Sequence, residues 1–444
     1  MPSYKQTEIM KQNDTIAAIS TPIGVGGIAV VRISGVEAYD VAITHLSVAV
    51  LEPRKATYCR FDDIDDVVAT YFAAPHSYTG EDTVEIACHG SLYVQQAVLQ
   101  ALTESGARMA QAGEFTLRAF ANGKLDLSQA EAVADLIDSV TPAQHRLAMS
   151  QLRGGYAQKH KELRQQLVDL TALLELELDF SQEDVEFADR SQLRELLTTL
   201  HTQLTTLIQS FSMGNAVKRG IPVAIVGAPN VGKSTLLNAL LQDDRAIVSP
   251  VPGTTRDTIE GLLTLDGITF RLIDTAGLRE TDDSVEQLGI ARSRKAYEDA
   301  LVVLHVHDTT EGMEEIHTND GKRHIIVLNK CDMIEAGQRE VQACHINVSA
   351  KNGDGLEALR LALKEAVGDR AADDTLLTNS RHYDALRKVD EALKRVDQAL
   401  DEEMPADLVA VDLRDALYHL GTITGAVASE EVLGSIFGRF CVGK

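Results

Sequence analysis

The eight-residue run Gly-Ala-Pro-Asn-Val-Gly-Lys-Ser at 227–234 restricts the fold of this chain more than any other feature. It follows the apolar, β-branched run PVAIVG and opens the helical run STLLNALL. The pattern GxxxxGK(S/T) between a strand and a helix lets backbone N–H groups cradle phosphates where the helix dipole favours negative charge. Further strand-length runs follow, TFRLID, LVVLHVHD and HIIVLNK, with helical stretches between them. That alternation predicts a doubly wound parallel sheet over 218–375, covered by helices on both faces.

Three further elements stand in order along this sheet. Lys233 would reach the β- and γ-phosphates and Ser234 would ligate Mg²⁺, with Asn230, Val231, Gly232 and Thr235 completing the loop. Asp274-Thr275-Ala276-Gly277 closes TFRLID; its carboxylate suits an outer contact to Mg²⁺, and the Gly277 N–H can approach a γ-phosphate. Asn329-Lys330-Cys331-Asp332 follows the next strand. Asp332 can accept from guanine N1–H and the 2-amino group, whereas adenine has neither donor and would leave the carboxylate unpaired. Ser349-Ala350-Lys351 stands where a backbone N–H would read guanine O6. DTAG and NKCD are weak in isolation, but four elements in this order on strand ends specify GTP.

Between the loop and DTAG lies PGTTRD. A Thr there can close on Mg²⁺ only when a γ-phosphate is present, and Thr255 is the expected ligand. Arg256 is either a transition-state contact or an exposed cation. Many GTPases place a water-orienting Gln after DxxG, but here that residue is Leu278, which cannot hydrogen-bond. Two substitutes are visible: the acidic stretch with Glu280, Asp282, Asp283 and Glu286, and Asn230, whose amide oxygen could hold a monovalent cation beside the phosphates. The residues themselves do not choose among the four carboxylates.

Outside 218–375 the text changes. Residues 14–120 mix short strands (TIAAIS, IAVVRIS, VVATYFA, TVEIACHG) with a helix, QQAVLQALTESGA, stopped by Gly106. From 125 to 213 leucines recur at helical spacing (Leu163, Leu167, Leu170, Leu173, Leu174; Leu193, Leu196, Leu197, Leu200, Leu204, Leu207), the stripe of a bundle core. After 375 the pattern returns with Leu386, Val389, Leu393, Val396 and Leu400. About 70 residues are a thin basis for an independent core. The tail should therefore pack on the earlier helices, making the α/β unit an insertion in one helical domain. The expected domains are 1–124, 125–217, 218–375 and 376–444.

Composition constrains partners. A net charge of −24 in 444 residues argues against general affinity for nucleic acid, so any RNA role needs a basic patch or partner. Five scattered cysteines without a CxxC spacing argue against disulfides and zinc, and for a reducing cytoplasm. No apolar run reaches the ~20 residues of a membrane helix, and no signal peptide is read.

Four segments carry a family resemblance: TPIGVGGIAVVRISG (21–35), SYTGEDTVEIACHG (77–90), GEFTLRAFANGKLDLSQAEAVADLI (113–137) and the terminal FGRFCVGK (437–444). Through them the chain resembles the bacterial tRNA wobble-uridine modification GTPases of the MnmE (TrmE) family over essentially its whole length. The resemblance implies a multidomain chain, with an N-terminal α+β folate-binding and dimerisation domain and a helical domain interrupted by an inserted Ras-like G domain. It further implies a homodimer, and a heterotetramer with the flavoprotein MnmG that modifies C5 of the wobble uridine in tRNA. Hydrolysis would be K⁺-dependent, with Asn230, Ser249, Val251 and Thr254 lining the K⁺ site, Thr255 on Mg²⁺ and Glu286 positioning water indirectly. A formyl- or methylene-tetrahydrofolate would contact Arg32, Glu85, Lys124 and Lys444. Without the resemblance Arg32 and Lys124 read as surface charges and Glu85 as an ordinary strand residue.

Cys441, a small apolar residue near a terminus on composition alone, falls in the family's Cys-x-Gly-Lys ending. A thiolate there, with Arg439 and Lys444 close in sequence, could add to uracil C6 during substitution at C5. The segment IGVGG departs from members with a charged residue before the last Gly pair, the leader before Thr15 is longer than usual, and Cys331 fills the variable NKxD slot. The alternative is a ribosome-assembly GTPase of the Era or Der kind, which would carry a basic KH-type RNA module in place of acidic helices.

Overall fold

Alternating burial along Ile28–Ser34 sets the face on which each of its side chains lies in the N-terminal sheet. The structure, a computed structural model, describes residues 14–180, 190–242, 260–274, 294–310, 320–334, 345–368 and 376–444. The chain divides into two compact units. One comprises Met1–Ile137, Gln151–Val168 and Arg414–Lys444, the other Asp138–Ser150 and Asp169–Leu413.

The first unit holds β1 (Ile16–Ile19), β2 (Ile28–Ser34), α1 (Ala38–Thr44), β3 (Thr57–Phe61), β4 (Asp65–Phe72), β5 (Thr83–His89), α2 (Leu92–Glu104), β6 (Arg108–Met109) and α3 (Glu114–Ala121). The strands form one sheet in the order β3-β4-β5-β2-β1-β6, antiparallel except for β1 with β6. Ala29, Val31 and Ile33 of β2 share a core with Val98, Leu99 and Leu102 of α2. The period of two therefore sends Arg32 to the opposite face. On that face Ile16 and Ala18 of β1 pack with Ala110 and Phe115. The short β3 and β6 are strands that the sequence patterns did not reveal.

The helices α4 (Leu127–Asp138), α5 (Pro142–Leu152), α6 (Gly155–Phe180) and α7 (Arg190–Arg219) follow, with no strand between them among the described residues. The second unit then builds its sheet from β7 (Ile221–Val226), α8 (Lys233–Leu241), β8 (Glu260–Leu265), β9 (Ile268–Asp274), β10 (Val302–Asp308), β11 (Arg323–Asn329), β12 (His345–Asn347) and α9 (Leu356–Val367). Strand order is β12-β11-β10-β7-β9-β8. Five strands are parallel, as expected, but β8 runs antiparallel to β9. The cause is a two-residue hairpin: Asp266 and Gly267 both take positive φ (47° and 83°), the primed turn that suits the twist of paired strands. Strand order reverses direction at β7, which is flanked by β10 on one side and β9 on the other. In open α/β sheets this switch point is where ligands bind, outside the carboxyl ends of the strands.

The chain closes with α10 (Ser380–Asp401), α11 (Ala406–Thr424) and α12 (Glu430–Phe437). Helix α10 runs back along α7, the helix that feeds β7. Leu193, Leu197, Leu200 and Leu204 of α7 are buried, as are Leu386, Val389, Leu393 and Val396 of α10. Phe211 stacks on Tyr383 with ring centroids 4.3 Å apart. At one end Arg194 donates to Asp401 at 2.7 Å, and at the other the Leu377 N–H donates to Ser210 Oγ at 3.1 Å. The helices before and after the sheet thus pair, and the sheet is inserted between them. Among the described residues no helix is long and apolar enough to cross a membrane.

Candidate functional site

The carboxyl ends of β7, β9, β10 and β11 deliver the chemically active residues of the second unit to one rim. After β7 the chain turns through Gly227 and Asn230, both at positive φ, to Gly232, which caps α8 at φ 94°. A side chain at Gly232 would collide with the Asn329 amide nitrogen, so glycine is required by position as well as by φ. Lys233 is buried, and its ammonium donates to the Gly227 and Ala228 carbonyls at 2.8 and 2.7 Å. Burial pulls its pKa down, against the attraction of Asp274. The Ser234 hydroxyl donates to Asp274 Oδ2 at 2.7 Å, which brings the loop and the end of β9 together.

Asn329, at the end of β11, ties the rim together. Its amide nitrogen donates to the Val231 carbonyl at 2.8 Å, and its amide oxygen accepts from the Ala350 N–H at 3.0 Å. The 227–234 loop, the Asn329–Asp332 loop and the Ser349 turn are thereby tied together through one side chain. That bond engages the Ala350 N–H within the protein. Asp332 is exposed and accepts from the buried Ser349 hydroxyl, while Lys351 is exposed beside it. Asn230, Ser234 and Thr235 face solvent along the loop. Lys330, at φ 65°, reaches back to β10, where its ammonium pairs with Asp308 at 2.6 Å. Ser249, Val251, Thr254, Thr255, Arg256, Thr275, Ala276, Gly277 and Glu286 lie outside the described residues.

A second group gathers in the first unit on the face of the sheet opposite α2. Arg32 and Glu85 are direct partners across β2 and β5. The Arg32 Nε and Nη2 lie 2.9 and 2.8 Å from Glu85 Oε1. The guanidinium also stands over the rings of Tyr78 and Phe115, 5.5 and 5.4 Å from their centroids, a favourable cation–π placement. The C-terminal tail comes to the same place. Val442 bridges Ala112, the Ser20 hydroxyl donates to the Gly443 carbonyl at 3.1 Å, and Arg32 Nη1 lies 3.5 Å from that carbonyl. Cys441 is exposed. Lys124 is exposed too, and its ammonium donates to the Pro75 carbonyl at 3.0 Å. Arg32, Glu85 and the tail that ends in Lys444 are thus neighbours, although more than 350 residues separate the tail from the pair in the chain.

A family model described as GTP-binding protein TrmE N-terminus matches residues 15–124, and one described as MnmE helical domain matches residues 127–441. The tRNA modification GTPase MnmE of Flavobacterium johnsoniae is 47% identical, across 98% of this chain and 100% of its own. That of Parabacteroides distasonis is 47% identical, across 97% and 100%. Among solved structures, the G domain of the T. maritima FeoB iron transporter aligns with 34% of this chain and 98% of its own, at 28% identity and a TM-score of 0.24. The chain belongs to the MnmE family of tRNA modification GTPases. It is accordingly a GTP hydrolase.

Within this MnmE-family chain, several polar residues of the signature segments hold one another. Arg118 and Glu114 are buried, and Arg118 pairs with Asp14, Glu81 and Glu114 at 2.7, 3.2 and 3.1 Å. Arg108 joins at 2.8 Å from Asp14 and 2.6 Å from Glu114. The arginines and the Gln111 N–H keep the Glu114 carboxyl below its usual range although burial pushes it up. The motifs GEFTLR and SYTGED therefore supply framework. Residues missed in the sequence are Tyr78, Phe115 and Gly443 around Arg32, and Asp308 behind Lys330. Asp308 had one available signal, its place at the end of the LVVLHVHD strand.

Proposed function

We propose that this chain is a K⁺-dependent GTPase that acts with the flavoprotein MnmG on the wobble uridine, position 34, of certain tRNAs. A tetrahydrofolate one-carbon unit, formyl or methylene, would supply carbon for an aminomethyl or carboxymethylaminomethyl group at C5. What carries the reading is end-to-end likeness to the tRNA modification GTPases MnmE, in a chain whose rim joins phosphate loop and guanine loop through Asn329. The homodimer, the heterotetramer with MnmG and the cytoplasmic location belong to the same proposal. A −24 chain needs a basic patch or a basic partner to meet tRNA phosphates, and such a partner would supply it.

In the nucleotide site Lys233 and Arg256 would offset charge on the transferring phosphoryl group, and Glu286 would orient water. Ser234 and Thr255 would hold Mg²⁺; the 2.7 Å contact of the Ser234 hydroxyl with Asp274 is an oxygen pair suited to that ion. Asn230, Ser249, Val251 and Thr254 would hold K⁺, and the exposed, left-handed Asn230 is free to turn its amide oxygen toward the phosphates. A bound cation there supplies the positive charge that an arginine finger gives elsewhere. In the first unit Arg32, Glu85, Lys124 and Lys444 would take the folate's carboxylate tail and donor-rich pterin. Cys441 would offer a thiolate to uracil C6.

Two measurements test this. GTP turnover should run at least tenfold faster in KCl than in NaCl, a gain of the size expected for a charge that stabilises the transition state. Equal rates would remove the cation site from the proposal. Nucleoside analysis of tRNA from cells lacking the gene should show unmodified wobble uridines, and normal ones would overturn the tRNA reading.

A further inference from the structure

The end of β10 carries three residues that none of the nucleotide motifs includes. Asp308 is buried, and its carboxylate accepts three hydrogen bonds. Lys330 Nζ donates to Oδ2 at 2.6 Å, while the Thr310 N–H and hydroxyl donate to Oδ1 at 3.0 and 2.7 Å. Thr309 gives its own N–H and hydroxyl to the Asn329 carbonyl at 3.0 and 2.8 Å. The two residues gripped in this way, Asn329 and Lys330, open the guanine loop. Lys330 has a left-handed backbone (φ 65°), a conformation that a residue with a side chain holds only when its surroundings impose it.

We propose that Asp308, Thr309 and Thr310 form a clip that presets Lys330 and the guanine loop for the nucleotide, with Asp308 a positioning residue that acts through Lys330. This rests on the GTP reading above and adds an element to it. The clip acts by preorganisation. A lysine has a flexible stem, and fixing it at the moment of binding costs entropy that a preset side chain has already lost. A buried carboxylate at 2.6 Å fixes the ammonium at one point, so the stem beyond the strained backbone has little choice of path. Burial would raise the Asp308 carboxyl, but Lys330 and the Thr310 donors outweigh it and hold the group below its usual value, so it stays charged at neutral pH. Lys330 stands between Asn329, which binds the phosphate loop, and Asp332, which faces the base. Its placement therefore bears on both ends of a guanosine nucleotide.

The test is a kinetic split with a coupling measurement on the full chain. Asp308→Asn keeps the shape and removes the charge. It should raise the KM for GTP and the Kd for a fluorescent GDP analogue about tenfold, the size of one lost charge-assisted hydrogen bond, with kcat within about twofold of the parent. Adding Asp308→Asn to Lys330→Met should raise KM no further than Lys330→Met alone, because the clip acts through that lysine. Multiplying losses, an unchanged KM, or a fall in kcat at constant KM would each overturn the proposal. Should Asp308→Asn melt well below the parent without nucleotide, Thr310→Val removes one donor from the same carboxylate. It should raise KM about threefold, and no rise would overturn the clip. The parent is titrated in parallel: if it fails to bind the GDP analogue the nucleotide reading itself falls, whereas parental binding with an unaffected Asp308→Asn variant sinks the clip alone.

Discussion

Asp332 presents a single carboxylate to solvent at the rim, steadied from behind by the Ser349 hydroxyl. Guanine offers that carboxylate two N–H donors along one edge. Xanthine keeps N1–H but carries a carbonyl in place of the 2-amino group. Asp332→Asn supplies one acceptor and one donor, which matches xanthine and opposes guanine. Each charge-assisted bond is worth ~1.5–3 kcal/mol, so the variant should raise the KM for GTP about a hundredfold and make XTP the better substrate. Steady-state turnover with both nucleotides decides it, and an undisturbed preference for GTP would place base recognition elsewhere. This chemistry was legible because its residues are consecutive and their order along the strands is fixed. The Arg32–Glu85 pair was not legible from residues alone. Its partners lie 53 positions apart and meet only through the β2–β5 register, which neither segment encodes by itself.

Strand β10 illustrates how an element couples its own titration to stability. His305 Nε2 lies 2.9 Å from His324 Nδ1 on β11, and His324 Nε2 lies 2.7 Å from Asp320 Oδ1. Tyr297 donates its hydroxyl to the other Asp320 oxygen at 2.7 Å. Burial first, then the neighbouring His324 and His307, push the His305 pKa down to about 4. In the unfolded chain it returns to about 6.5, so the unfolded state binds the proton more readily. The stability this neutral imidazole contributes is present above about pH 6.5 and is lost as pH falls from there through about 4. His305→Gln, which cannot be protonated, should lose less melting temperature than the parent between pH 7 and pH 4.5. Parallel losses in the two proteins would deny His305 this role. At this scale the sequence was read well where strands are long and apolar, as β7, β9, β10 and β11 are. It was read poorly at β8, where a two-residue Asp266–Gly267 turn adds an antiparallel edge. That dipeptide is a hairpin signal, but the expectation of an all-parallel sheet concealed it. The two-residue β6 is too short to carry any period at all.

The whole chain separates its chemistry between two bodies: nucleotide elements in one, the Arg32–Glu85 pair and the C-terminal tail in the other. Part of that plan was readable, because a helical tail too short to fold alone had to return to the earlier helices, and α10 does so on α7. What no pattern revealed is that the last four residues cross back to the first strand. Gly443 holds them there. It is buried at φ 97°, and any Cβ at that position would strike the Ile19 carbonyl oxygen. Gly443→Val should therefore lift the tail from Ser20 and Arg32 and carry Cys441 and Lys444 away from the pair. The nucleotide rim lies in the other unit and contains none of these contacts. If the two bodies divide the work as proposed, the variant keeps the parent's KM for GTP within about twofold, since sites that share no partners act independently. Wobble-uridine modification by the same variant should be lost. GTP kinetics and nucleoside analysis on one preparation measure both. Modification at the parent's level would mean that the tail's seat on β1 has no part in the reaction, and a collapse of GTP affinity would mean that the two bodies are not independent. Loss of modification with intact nucleotide kinetics is the pattern that a tail acting on the Arg32–Glu85 face requires.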